Sequence, residues 1–196
     1  MELRECYEPA MERAVKKSLR WLDGHCRRFI ALSPFVCLGT VGSGGADVTP
    51  RGDRPGFVHV LDEVTLALPD WRGNNRLDSL ENVQEDPRVG LLFLIPGFEE
   101  TLRVNGRALI SFDAELLGRW EGDGKRPKSA LVITVEEAFL HCGKALIRSK
   151  LWDPGSVVER SAMPSYGRMM KDQMEIADTA EEMEASIAHA YKERLY

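Results

Sequence analysis

Val89-Gly90-Leu91-Leu92-Phe93-Leu94-Ile95-Pro96-Gly97, followed by Thr101 to Ile110, is the stretch that decides the fold class. Its first seven residues are apolar or glycine throughout, the pattern of a strand buried on both faces. Pro96-Gly97 turns the chain, and Thr101 to Ile110 alternates. Leu102, Val104, Ala108 and Ile110 share one face, while Thr101, Arg103, Asn105 and Arg107 share the other. Upstream, Phe35 to Val41 is a short β run closed by Gly42-Ser43-Gly44-Gly45, which is hairpin chemistry. Asp47 to Thr49, Phe57 to Leu61, Thr65 to Leu68 and Ala130 to Val135 read as further strands, with Pro50 to Gly56 irregular. Six or seven short strands with hairpin connections predict a mainly β chain with peripheral helices (α+β) and an antiparallel barrel.

The helices lie around it. Met11, Ala14, Val15, Leu19 and Leu22 recur at helical spacing, predicting a helical first 32 residues in which Gly24 ends the run. Cys26 to Leu32 is a second, shorter apolar-basic stretch. Asn75 to Val83, Asp113 to Trp120 and Cys142 to Ser149 read as helices. Ala180 to about Leu195 is another, opened by a Thr179–Glu182 capping box and striped by Met183, Ile187 and Tyr191. The chain divides into a helical segment (1–32), a barrel (33–154) and a C-terminal extension with an acidic amphipathic helix (155–196), all within one domain.

Composition narrows the function. The 196 residues carry 26 Lys+Arg against 31 Asp+Glu, a formal charge of −5. Residues 172–196 hold seven acids and two bases, so the acidity belongs to the extension and the remainder is neutral. An acidic total argues against a nucleic-acid partner. No apolar run approaches the roughly 20 residues that span a bilayer, and the charged start is unlike a signal peptide. The four cysteines never come closer than 11 residues, which excludes CxxC zinc and redox pairs. Reduced thiols in a cytoplasm are expected. His141-Cys142 has no partner at ligand spacing, so no metal site is expected. His59, within an apolar strand, reads as a packed, hydrogen-bonded histidine.

The segment richest in chemistry is Pro69-Asp70-Trp71-Arg72-Gly73-Asn74-Asn75-Arg76-Leu77-Asp78-Ser79-Leu80. It leaves a strand, crosses a glycine and starts a helix with Asn74 or Asn75 as N-cap. Arg76 and Ser79 would share the first turn, where free N–H groups suit a phosphate, with Arg72 or Arg51 closing from the loops. A surface turn with solvated arginines fits the same residues. Thr101, Arg103 and Asn105 form a second polar group, as compatible with water as with a ligand. Lys144, Arg148, Lys150 and Trp152 form a third, suited either to a flat anion or to a snorkelling basic face. No side chain stands out as a general acid or base.

Taken in order, these motifs resemble the pyridoxamine 5′-phosphate oxidase-like family of FMN-binding split β-barrels. The resemblance runs from about Ser33 to Pro154. It rests on Thr49-Pro50-Arg51-Gly52-Asp53, on Pro69-Asp70 with Gly73 to Leu80, on Asn82 with Asp86-Pro87-Arg88-Val89, and on Glu100 to Gly106 and Ser149 to Pro154. It implies a homodimer with FMN at the subunit interface. Arg51 and Asp53 would then lie along the cofactor, and Pro69 and Asp70 would meet the flavin edge. Asn74, Asn75, Arg76 and Ser79, with Arg72 closing over them, would hold the phosphate. Thr101 and Arg103 would face the ring, and Lys150 and Trp152 would come from the second subunit. The implied activity is an FMN-dependent oxidoreductase of a small molecule. A non-enzymatic FMN or redox-sensing module is the alternative, and a deazaflavin or haem barrel a further one, with His141 the one candidate axial ligand. The extension departs from the arginine and histidine that grip substrate in the family's oxidases, which counts against that particular substrate.

Overall fold

The computed structural model describes residues 3–122, 125–174 and 177–193. Seven strands form one sheet in the order β2-β1-β5-β6-β7-β4-β3: β1 (Phe35–Gly42), β2 (Gly45–Gly52), β3 (His59–Val60), β4 (Thr65–Asp70), β5 (Arg88–Leu94), β6 (Thr101–Ser111) and β7 (Ser129–His141). Every pairing is antiparallel. The edge strands β2 and β3 do not pair with each other, so the barrel is split rather than closed. Seven helices accompany the sheet among the described residues: α1 (Glu12–Lys16), α2 (Gly24–Leu32), α3 (Asp78–Glu85), α4 (Ala114–Gly118), α5 (Lys144–Ser149), α6 (Tyr166–Met174) and α7 (Ala180–Glu193).

The inward faces of the strands supply Val36, Leu38, Leu66, Leu91, Phe93, Leu102, Val104, Leu131 and Ile133, each essentially without solvent exposure. Burial of this kind stabilises by about 1.5–3 kcal/mol per large side chain. α2 adds Cys26, Phe29 and Ile30 to the same core. Burial and the Asp23 carboxylate push the Cys26 thiol up to about 12.

Several expectations are revised. Gly24 begins a helix instead of ending one: Asp23 caps α2 by accepting from the Cys26 N–H at 2.8 Å. The helical run before it stops at Lys16, because Leu19 pairs through its backbone with Ala138 of β7. Pro50 to Gly52, read as irregular, continue β2, whereas the Phe57 to Leu61 strand shrinks to His59–Val60 behind the Pro55-Gly56 turn. β5 is buried on one face only. Val89, Leu91 and Phe93 point to the core, and Leu92 on the opposite face is 36% exposed. β7 runs on to His141 across a bulge opposite Asn105 and Gly106. α6 has no counterpart among the expected helices. α7 has the expected Thr179–Glu182 capping box, with both reciprocal bonds made, while Leu195 lies outside the described residues.

One packing contact sets the position of α3. The helix lies against the β1–β2 hairpin so closely that a Cβ on Gly42 would sit 2.2 Å from Asn82 Oδ1. Asn82 donates to Thr40 Oγ1 at 3.1 Å, and the Glu85 carboxylate accepts from the Ser43 N–H at 2.6 Å. These bonds pin the C-terminal half of α3 to the hairpin, and the Ser79 hydroxyl, 3.2 Å from Thr49 Oγ1, seats its first turn beside the open seam of the barrel.

Candidate functional site

A cavity of about 610 Å³ opens at that seam, bounded by the end of β2, the end of β4, the loop before α3 and the first turn of α3. Arg51, Pro69, Asp70, Arg72, Asn74, Asn75, Arg76 and Ser79 all line it, so eight of the sequence-derived candidates converge. Arg51 Nη1 bonds Asp70 Oδ1 at 2.6 Å, tying β2 to β4 across the split. Both side chains are mostly shielded, at 23% and 16% exposure, which makes this pair more consequential than a surface ion pair. The Arg51 Nε also reaches Thr49 Oγ1, which lies 3.2 Å from Ser79 Oγ. A continuous polar chain therefore runs from β4 through β2 into α3.

The loop into α3 departs from the expected cap. Leu77, not Asn74 or Asn75, is the N-cap residue, in left-handed backbone (φ 58°) and with no side-chain hydrogen bond. Asn75 is left-handed as well (φ 62°). Asparagine tolerates that region, whereas a leucine there costs on the order of 1–3 kcal/mol and persists because the surroundings impose it. The Asn74 side chain instead accepts from the Arg76 N–H at 3.0 Å, folding the loop back on itself. Arg76 consequently precedes the helix, exposed and 2.9 Å from Asp78, so it does not share a helical turn with Ser79. Ser79 is buried, its hydroxyl committed to Thr49 and, at 3.5 Å, to Asp47. Its backbone N–H, rather than its hydroxyl, is what the first turn offers a ligand.

Sequence reasoning missed Lys128. It lines the cavity and reaches Asn75 Oδ1 at 3.4 Å from the residue before β7. With it the cavity carries four cations (Arg51, Arg72, Arg76, Lys128) against two carboxylates (Asp70, Asp78). An excess of guanidinium and ammonium beside a helix N-terminus is the chemistry of an anion site.

The other candidates lie elsewhere. Asp53 follows β2 and lines a neighbouring cavity. Thr101 and Arg103 line a depression on the outer face of the sheet with Leu92, Leu94 and Cys142, and Arg103 lies over the Phe139 ring at 5.6 Å. His141 lines that depression too, not the cationic cavity. Lys150, left-handed after α5, and Trp152, which donates to the Phe98 carbonyl at 2.7 Å, line none of the three. Within one chain the three polar groups are thus not one site. Among the described residues no His, Cys, Asp and Glu side chains cluster as a metal site, and no helix is long and apolar enough to cross a membrane.

The fold is therefore a split antiparallel barrel with a cation-rich cavity at its seam. The pyridoxamine 5′-phosphate oxidase family model matches residues 22–142, and the chain belongs to that family. No curated protein matches it. Among solved structures, two of HupZ from Group A Streptococcus align at TM-score 0.50. A histidine-to-alanine variant is 19% identical over 61% of this chain and 99% of that one; the other is 18% identical over 60% and 92%. A protein from Lactobacillus delbrueckii, assigned provisionally as a pyridoxamine 5′-phosphate oxidase, aligns at TM-score 0.49 and 20% identity over 62% of this chain and 95% of that one.

Proposed function

We propose that the chain binds FMN and works as a flavin-dependent oxidoreductase on a small molecule. The observation that carries this reading is the 610 Å³ cavity with four cations against two carboxylates, in a chain of this family. The donor set fits a phosphate-bearing flavin. Arg72, Arg76, Lys128 and the first N–H groups of α3 hold the phosphate, and Pro69 and Asp70 bound the same cavity from β4. Arg51, already neutralised by Asp70, keeps the two sides of the seam together. Arg76 leaves Asp78 or bridges it to the phosphate, since its side chain is solvated and free to turn. When bound, FMN supplies the hydride or electron transfer, and the protein positions it and tunes its potential.

A second copy of the chain completes the reading. Phe35 and Leu92, each more than a third exposed, lie on neighbouring strands with Val48 and Leu94 beside them, an apolar outer face suited to homodimer contact. Thr101, Arg103, Lys150 and Trp152 then contribute across that interface. Four free cysteines suit a reducing cytoplasm.

The test is the visible spectrum of the purified protein and its titration with FMN. A two-band flavin spectrum that bleaches with a reduced nicotinamide supports the oxidoreductase, and a bound flavin that resists every donor supports a carrier or sensor. A protein that takes up no FMN ends the proposal. Arg76→Ala removes a charge-assisted phosphate contact of roughly 1.5–3 kcal/mol, a 10- to 150-fold loss of FMN affinity. Riboflavin, lacking the phosphate, should bind both forms equally.

A further inference from the structure

Phe57 and Trp71 line two cavities at once: the cationic one and a neighbour of about 310 Å³ that the FMN reading leaves unused. The neighbour is walled by rings. Trp120 is fixed in it by donating its indole N–H to the Phe57 carbonyl at 2.7 Å. His59 lies flat on Trp120, with ring centroids 4.3 Å apart and planes at 10°. The sequence predicts a packed, hydrogen-bonded histidine there; the structure keeps the packing and drops the hydrogen bond. Among the described residues neither imidazole nitrogen has a hydrogen-bond partner. Burial, and secondarily the Arg119 charge, hold the ring's pKa below its ordinary value, so at neutral pH it offers one N–H donor and one bare acceptor. Among the described residues Arg54 and Lys125 also line the cavity, with the carboxylate of Asp53.

We propose that this second cavity is a binding subsite for a flat aromatic carboxylate bearing a hydrogen-bonding ring substituent. The ring packs against the aromatic walls, the carboxylate pairs with Arg54 and Lys125, and the substituent meets His59. The size limits the ligand to one or two rings, since 310 Å³ is at the small end for ligand cavities and excludes a dinucleotide. That such a molecule is the flavin's substrate rests on the FMN reading. That the cavity binds it does not.

Fluorine NMR of the full-length protein with 3-fluoro-4-hydroxybenzoate tests this, with and without FMN, whose own binding is followed by visible absorption. The expected result is saturable broadening of the probe, reversed by 4-hydroxybenzoate and not by the non-planar cyclohexanecarboxylate. Lys125→Ala, at an exposed position, should weaken the probe five-fold or more and leave its neutral amide analogue unchanged. His59→Phe keeps a flat ring and should abolish the preference for the hydroxylated probe over 3-fluorobenzoate. No saturable binding to the wild-type protein, or binding indifferent to both substitutions, overturns the inference. FMN uptake without probe binding removes this subsite alone. Probe binding without FMN uptake removes the flavin reading and leaves the subsite standing.

Discussion

The sheet and the C-terminal extension both contain amphipathic elements, yet they dispose of their apolar faces differently. From β1 to β7 the inward residues interlock until Val36, Phe93, Leu102 and Ile133 have no exposed surface. From Gly155 to Glu193 only Gly167 is buried among the described residues, and Val157, Val158 and Met163 stand more than half exposed. α6 packs on α7, with Gly167 tight against Glu184, and neither helix makes an extensive contact with the barrel. The chain's excess negative charge lies there too. The barrel is held by non-local burial; the extension is held by its own caps and one helix pair.

The largest expected effect tests that division directly. Phe93→Ala opens a cavity in the core and should cost about 3–5 kcal/mol of unfolding free energy. Met163→Ala should stay within about 0.5 kcal/mol, as for an ordinary surface change. Urea denaturation of both variants checks the pair. An equal loss at Met163 would break the comparison and mean that the extension is packed in the assembled protein.

The same contrast governs which features are legible in the sequence. Strands β1, β5 and β6 are legible because alternation and hairpin glycines are local signals. α7 is legible from its capping box. The outer face of β5 misleads because Leu92 and Leu94 look like core; the one-dimensional pattern does not say that this face lines an open depression. At the candidate site, eight residues can be found because they cluster in two short segments. Their roles are harder to read. Arg51 and Asp70 stand 19 residues apart, and their ion pair depends on how the sheet curls. Lys128 lies 52 residues beyond Arg76 with no motif around it. A leucine at a left-handed N-cap gives no sequence signal, because it contradicts propensity and exists only where α3 is pinned to the hairpin.

A smaller effect comes from the cap that belongs to the barrel. Asp23→Ala removes the α2 cap and should cost about 1 kcal/mol of global stability, because α2 carries Cys26, Phe29 and Ile30 into the core. Its pH dependence has a definite sign. The Cys26 N–H, foremost, holds the Asp23 carboxyl below its ordinary 3.8. A depressed folded pKa contributes stability that is complete above the unfolded value and lost as pH falls through the folded one. The gap between wild type and Asp23→Ala should therefore be constant above about pH 5 and narrow in acid. Asp23→Asn, which caps without titrating, should show no such narrowing.

The smallest effect is the most discriminating, because it removes the same kind of bond from the other region. Thr179 and Glu182 exchange hydrogen bonds at the start of α7 at 2.8 and 3.1 Å. Thr179→Ala leaves the first N–H groups of the helix without a side-chain acceptor and weakens it locally. α7 leans on α6 and on little else, so that loss has no path into the barrel core. Hydrogen exchange should quicken in peptides from 180–193 while exchange in β5 and β6 and the urea midpoint stay unchanged. If Thr179→Ala instead moved the midpoint as far as Asp23→Ala, the extension would be cooperative with the barrel, and its exposed apolar residues would have to be buried against a second chain.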